Sequence, residues 1–195
     1  MTDALLSRGD GHTDLSDEDR VGLIPTYVAT RGDLFDAEQR NISQALLRRR
    51  PSVTQLLSDS YLRELHRAMF GKVWKWAGKY RLTDTNIGID PTEIAVAMRQ
   101  LVGDSQSWVR YTTYDSDELA VRFHHRMVAI HPFPNGNGRH ARVAADLLVA
   151  ALGGVAFSWG AELGVETDVL RARYIAALQE ADGGNIDLIL LFARA

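Results

Sequence analysis

His131-Pro132-Phe133-Pro134-Asn135-Gly136-Asn137-Gly138-Arg139-His140-Ala141-Arg142 begins with an imidazole, turns on two glycines and ends on two guanidinium groups, and the rest of the chain reads as the frame that holds it. Glycine lets successive backbone N–H groups point into one concavity. A helix opening just after the turn adds the positive end of its dipole, so residues 135–139 can cradle an anion, phosphate first among them. Arg139 and Arg142 stand three apart, which on a helix puts both on one face of the first turn, and arginine's planar fork suits phosphate oxygens. His131 lies upstream, across the turn from that anion, where a side chain titrating near neutrality can take a proton from an attacking hydroxyl. Before it, Leu119, Phe123, Met127 and Ile130 recur at helical spacing and deliver His131 at the end of a packed helix, which leaves a base little freedom to wander. After it, Val143, Leu147 and Leu148 carry a helix that opens near Gly138 as far as Gly153-Gly154.

The stretch resembles the signature of the Fic (Fic/Doc) family, HxFx(D/E)GNGRxxR, at every specified position but one. Trp76-Ala77-Gly78-Lys79-Tyr80-Arg81 is similar to the family's wAGkyR element, a second and independent likeness. The whole string HPFPNGNGRHAR is also similar to the Fic subgroup called mobile mystery protein B. The resemblance implies a mainly α fold, a single Fic-type helical domain with a small β-hairpin flap at about 80–90. It implies an activity too: transfer of AMP from ATP, with Mg2+, to a Ser, Thr or Tyr hydroxyl of a target protein docked at the flap as an added strand. Carried over residue by residue, it makes His131 the general base and Phe133 the anchor of the loop in the core. Asn137, with the N–H groups of Gly136 and Gly138, would hold the phosphates, and Arg139 and Arg142 would neutralise them. Asn135 stands where the family usually has an acid that helps bind magnesium. An amide oxygen is an uncharged and weaker ligand for a hard cation, so Asn135 is a weak metal ligand at most, and the nucleotide phosphates supply the others.

The family implies a brake as well. Many members carry an inhibitory helix, (S/T)xxxE(G/N), whose glutamate pairs with the second signature arginine. Here Leu34-Phe35-Asp36-Ala37-Glu38-Gln39 keeps the glutamate without the hydroxyl residue or the glycine, so Glu38 is an inhibitory candidate aimed at Arg142, against the plainer reading of a surface helix residue. Ser158-Trp159-Gly160-Ala161-Glu162-Leu163 is a weaker match.

A chain of 195 residues with 46% hydrophobic content can bury one substantial core, and residues 16–195 read as one domain behind an arm at 1–15. The net charge of -3 argues against a broad nucleic-acid surface, and Arg48-Arg49-Arg50 reads as a solvated helix end. Absence of cysteine excludes disulfides and thiolate metal sites. The first residues are polar and acidic and no apolar run is long enough to span a membrane, so cytoplasmic residence without a membrane partner is the expectation.

In order, a short helix is expected from Ser16 to Leu23, a second from Phe35 to Arg49 after a break at Thr30-Arg31-Gly32-Asp33, and a third from Tyr61 to Trp76 ended by Gly78. Leu82 to Asp90 fits a hairpin, Glu93 to Val109 another helix, and Asp115 and Glu118 have capping-box spacing before the helix that ends at His131. Val155 to Trp159 reads as a short apolar run, and the last helices are Glu166 to Ala181 and Asn185 to Ala193. His124 and His125 point about 100° apart on a helix and cannot chelate one ion together; one packs or hydrogen-bonds and the other meets water. Tyr174 is a candidate for the wall of the base pocket.

Two rivals to AMP transfer stand. One is a de-AMPylating hydrolase, which needs a glutamate placed to position water; the other is a non-catalytic nucleotide- or peptide-binding module, for instance an antitoxin-like partner. Gly138, where the Doc kinases have lysine, favours AMP over phosphate transfer. The subgroup likeness implies a toxin-like setting with a separate DNA-binding or antitoxin partner. Self-association, known in several Fic proteins, makes a homo-dimer an open expectation.

Overall fold

The computed structural model describes residues 21–195. The arm expected at 1–15 and most of the helix expected from Ser16 lie outside them; its last residue, Leu23, pairs with Trp74 in an isolated bridge rather than in a helix. Among the described residues there are eight α-helices: α1 (Arg31–Leu46), α2 (Val53–Leu56), α3 (Asp59–Phe70), α4 (Ile94–Tyr111), α5 (Ser116–Ile130), α6 (Asn137–Ala151), α7 (Thr167–Asp182) and α8 (Asp187–Arg194). A 3-10 turn spans Ala161–Leu163.

The pair α5 and α6, joined by the loop 131–136, packs most extensively, with α4 against α5, α3 and α2 against α6, and α1 against α3. Apolar side chains at i, i+3 and i+4 explain this arrangement: Leu119, Phe123 and Met127 of α5 meet Ala141, Ala145 and Leu148 of α6 in one core that also takes in Leu62, Met69, Phe70, Met98 and Leu101. Small residues on α6 let it sit at the centre. α7 packs on α8.

Three boundaries differ from expectation, each for a local reason. Thr30 and Asp33 do not break the chain but cap α1 reciprocally, the Thr30 side chain accepting from the Asp33 N–H while the Asp33 carboxylate accepts from the Thr30 N–H. That helix ends at Leu46, so Arg48-Arg49-Arg50 falls in a connector, where Arg48 pairs with Glu64 at 3.3 Å. α3 stops at Phe70 and gives way to turns, because Gly71, Val73 and Trp74 close short bonds back to Arg67 and Phe70. Val73 is buried from those turns, which is why the apolar spacing ran past the helix.

The β-hairpin flap is not formed. Residues 81–90 contain no strand, and an arginine replaces the ladder: Arg81, buried to 3% exposure, donates from Nη1 to the Thr83 carbonyl at 3.0 Å and from Nη2 to the Ile89 carbonyl. One guanidinium thus holds both ends of the segment, and facing strands are not needed to satisfy them.

Candidate active site

α5 ends on His131, whose backbone is left-handed (φ 53°, ψ 60°) while its N–H still bonds to the Met127 carbonyl. A residue with a β-carbon is strained there and persists only where its surroundings fix it. Arg81 supplies that fixation, donating from Nε to the His131 carbonyl at 2.7 Å and from its main-chain N–H to the Pro132 carbonyl at 3.0 Å. Gly88 closes on the same point: a Cβ at this positive-φ residue would lie 2.6 Å from the His131 Cβ. Burial pushes the His131 pKa below the ordinary value of 6.5, the Val128 carbonyl opposes that, and the Arg81 guanidinium adds to it. At pH 7 the imidazole is therefore neutral and able to accept a proton.

The loop that follows is braced from behind. Phe133 is fully buried and stacks on His66 at 3.7 Å between centroids, with His140 meeting it edge-on at 5.2 Å. His66 accepts the Gly78 N–H at Nδ1 (3.0 Å), which leaves the proton on Nε2 to be donated to the Asn135 carbonyl (3.0 Å). Burial, then the neighbouring His140, holds the His66 pKa well below its usual value, and burial pushes that of His140 down to about 4. Both are neutral structural rings. Gly136 turns at φ +77°, and a Cβ on it would sit 2.6 Å from the Phe70 ring.

Asn137 is buried with its amide engaged on both main-chain groups of Phe133, accepting from N–H at 2.9 Å and donating to C=O at 2.7 Å. Its place is that of a loop brace, and what faces outward is the start of α6, which has no side-chain cap. The first N–H groups of a helix have no intrahelical acceptor, so this end can receive an anion.

The two signature arginines differ. Arg142, 6% exposed, lies with its Cζ 5.6 Å from the Tyr174 ring. Arg139 places its Cζ 4.8 Å over Phe70 and donates from Nη1 to Glu38 Oε2 at 2.5 Å, while Glu38 Oε1 accepts the Trp74 indole N–H at 2.6 Å. The expectation that Glu38 would pair with Arg142 is thereby corrected: α1 lays Glu38, 5% exposed, beside the first arginine rather than the second.

These groups meet in a cavity of about 340 Å³ lined by Ile87, Val128, His131, Asn135, Gly136, Asn137, Gly138, Arg139, Arg142, Arg171, Tyr174, Ile175 and Leu178. All the expected nucleotide-binding residues are brought together there. Arg171, Ile175 and Leu178 were not foreseen, although with Tyr174 they follow the 3–4 spacing of one helix face, a signal present in the sequence. Tyr174 is itself fixed by a 2.9 Å bond between its hydroxyl and His124 Nε2, and His125 turns outward to Asp182 at 2.8 Å. His66 and Trp74 were missed because their partners lie far away in the chain.

Magnesium does not fit the residues present. Among the described residues no carboxylate lines the cavity, three arginines do, and the Asn135 Oδ1 already accepts the Gly136 N–H at 2.6 Å.

Residues 56–149 match the model of the Fic/DOC family. Over 128 residues the chain is 34% identical to the protein adenylyltransferase fic-1 of Caenorhabditis elegans, covering 63% of this chain and 24% of that protein, so it spans about a quarter of the relative's length. Among solved structures it is similar to Fic-1 (aa134 - 508) from C. elegans, with a TM-score of 0.68 at 21% identity, covering 97% of this chain and 57% of that one. It is similar also to the N-terminal Fic domain of a VirB-translocated Bep effector protein with bound ADP from Bartonella quintana, with a TM-score of 0.67 at 17% identity over 87% of this chain and 86% of that one. The chain carries a Fic/DOC family domain, matched at residues 56–149 and set in the helical fold of solved Fic proteins.

Proposed function

We propose that the chain transfers the AMP group of ATP to a Ser, Thr or Tyr hydroxyl of a target protein. The observation that carries this reading is that one cavity has a neutral imidazole, His131, and the uncapped start of α6 with Arg139 and Arg142 on its lining. His131 takes the hydroxyl proton and the freed oxygen attacks the α-phosphorus. The bond to the β-phosphate oxygen breaks, and pyrophosphate leaves while the loop N–H groups and guanidinium groups meet the growing charge. Val128, Ile175 and Leu178 give the base an apolar wall. The relatives' name and the ADP-bound Fic structure support an adenine nucleotide. Gly138 lines the cavity without a side chain, which leaves room there for phosphates.

Magnesium would be held by the nucleotide's own phosphates rather than by the protein. The target would dock along 82–90, where Leu82 is 91% exposed and Ile87 reaches the cavity. Hydrolytic removal of AMP is disfavoured, because both oxygens of Glu38 are engaged outside the cavity lining. The mobile mystery protein B likeness extends the proposal to a toxin-like setting with a separate DNA-binding or antitoxin partner, which co-purification from the native host would reveal. Among the described residues no helix is long and apolar enough to cross a membrane.

The test is His131→Ala with labelled ATP. Loss of a general base costs ~10²–10⁴-fold, so target labelling falls by that factor while nucleotide binding survives. Labelling equal to the parent's would remove His131 from the mechanism.

A further inference from the structure

Resting on the reading of Arg139 as a phosphate-neutralising group, we infer that Glu38 and Trp74 form a buttress that orients Arg139, so that Glu38 is a positioning residue which supports the reaction rather than restrains it. The geometry is three-sided. Phe70 lies under the guanidinium, Glu38 Oε2 takes one Nη1 donor, and Trp74 fixes the carboxylate from its other oxygen. Trp74 is itself held, stacked on Trp76 at 5.0 Å and bridged to Leu23. A restraint would have to enter the space the phosphates need, and Glu38 does not: Arg139 lines the cavity and Glu38 does not. Among the described residues the Arg139 guanidinium makes no hydrogen bond besides the one to Glu38, so Nε and Nη2 keep their donors for a ligand. A long, flexible side chain held at one end and on one face is left with few orientations, which is the condition for a charge to meet a transition state without reorganising. The pairing also offsets part of the Arg139 charge, which weakens ground-state attraction for phosphate; Arg142 and Arg171 line the same cavity. Positioning and restraint therefore predict opposite signs for one substitution.

The test compares the full chain with Glu38→Ala, Glu38→Gln and Trp74→Phe, measuring kcat and KM for ATP in target labelling, binding of a non-hydrolysable ATP analogue by calorimetry, and thermal melting. Positioning predicts that Glu38→Ala lowers kcat about tenfold or more with the KM for ATP unchanged or lower, and that the analogue still binds. Glu38→Gln, which keeps one acceptor for Arg139, recovers part of the rate, and Trp74→Phe shows a smaller loss in the same direction. A rate in Glu38→Ala equal to or above the parent's would overturn the inference, as would parallel loss of analogue binding and rate in proportion to lost folded protein. Failure of the parent chain itself to bind the analogue or to label would instead sink the reading of the site as a nucleotidyltransferase.

Discussion

The loop 131–136 and the segment 82–90 lie against each other at the cavity, and they are held in different ways. The loop is fixed at nearly every residue: His131 by Arg81, Phe133 by His66 and Asn137, the Asn135 carbonyl by His66, Gly136 by the face of Phe70. The segment is tied at its ends, by Arg81 at Thr83 and Ile89 and by the Ile89 N–H to the Ile130 carbonyl, and its middle is exposed. The contrast separates two tasks. On the proposed reading, groups that would meet a developing charge are held on all sides, whereas a surface that would accommodate another protein's backbone is tied only at its ends.

The largest effect expected from this contrast is in the loop. Gly136→Ala puts a Cβ into the Phe70 ring at a positive φ, a strain of about 1–3 kcal/mol. Because the displaced backbone carries the anion-facing N–H groups, nucleotide affinity measured by calorimetry should fall tenfold or more. Unchanged affinity would mean that the loop is less braced than its contacts imply.

Acid probes the same bracing from behind. The folded-state pKa values of His66, His124 and His140 are all depressed by burial, so the unfolded chain accepts protons near pH 6.5 that the folded chain resists. Their contribution to stability is present above pH 6.5 and is lost as pH falls toward the folded values. For His140, with a pKa of about 4, this amounts to roughly 3 kcal/mol by pH 4. Denaturant melts at steps between pH 7 and pH 4 should show the loss, and a His140→Gln chain should show a shallower one.

The smallest effect on folding belongs to the segment's exposed middle. Leu82→Ser should shift stability by no more than about 0.5 kcal/mol and leave ATP affinity alone, while raising the KM for the protein target. A Leu82→Ser chain that labels its target at parental KM would move docking elsewhere.

What could be read from the sequence divides along the same line. The helix α5, its delivery of His131 and the turn into α6 are local, since periodicity, two glycines and two arginines sit within a few turns of one another. The whole expected nucleotide set accordingly lines one cavity. The pairing of Glu38 with Arg139 spans 101 positions and depends on how α1 lies across α3, which no spacing rule carries. The hairpin failed for a related reason: the apolar and polar residues of 82–90 permit strands, but a single buried arginine satisfies the carbonyls first. Thr30 and Gly32 suggest a break because turn formers and helix caps share a composition, and only the reciprocal bonds between Thr30 and Asp33 tell them apart.

The most direct measurement supplies the chain and its protein target with ATP labelled at either the α- or the γ-phosphate. Attack on the phosphorus facing His131 predicts that the α-label becomes covalently bound to protein and the γ-label leaves in pyrophosphate. Covalent capture of the γ-label, with the α-label left in solution, would contradict the account.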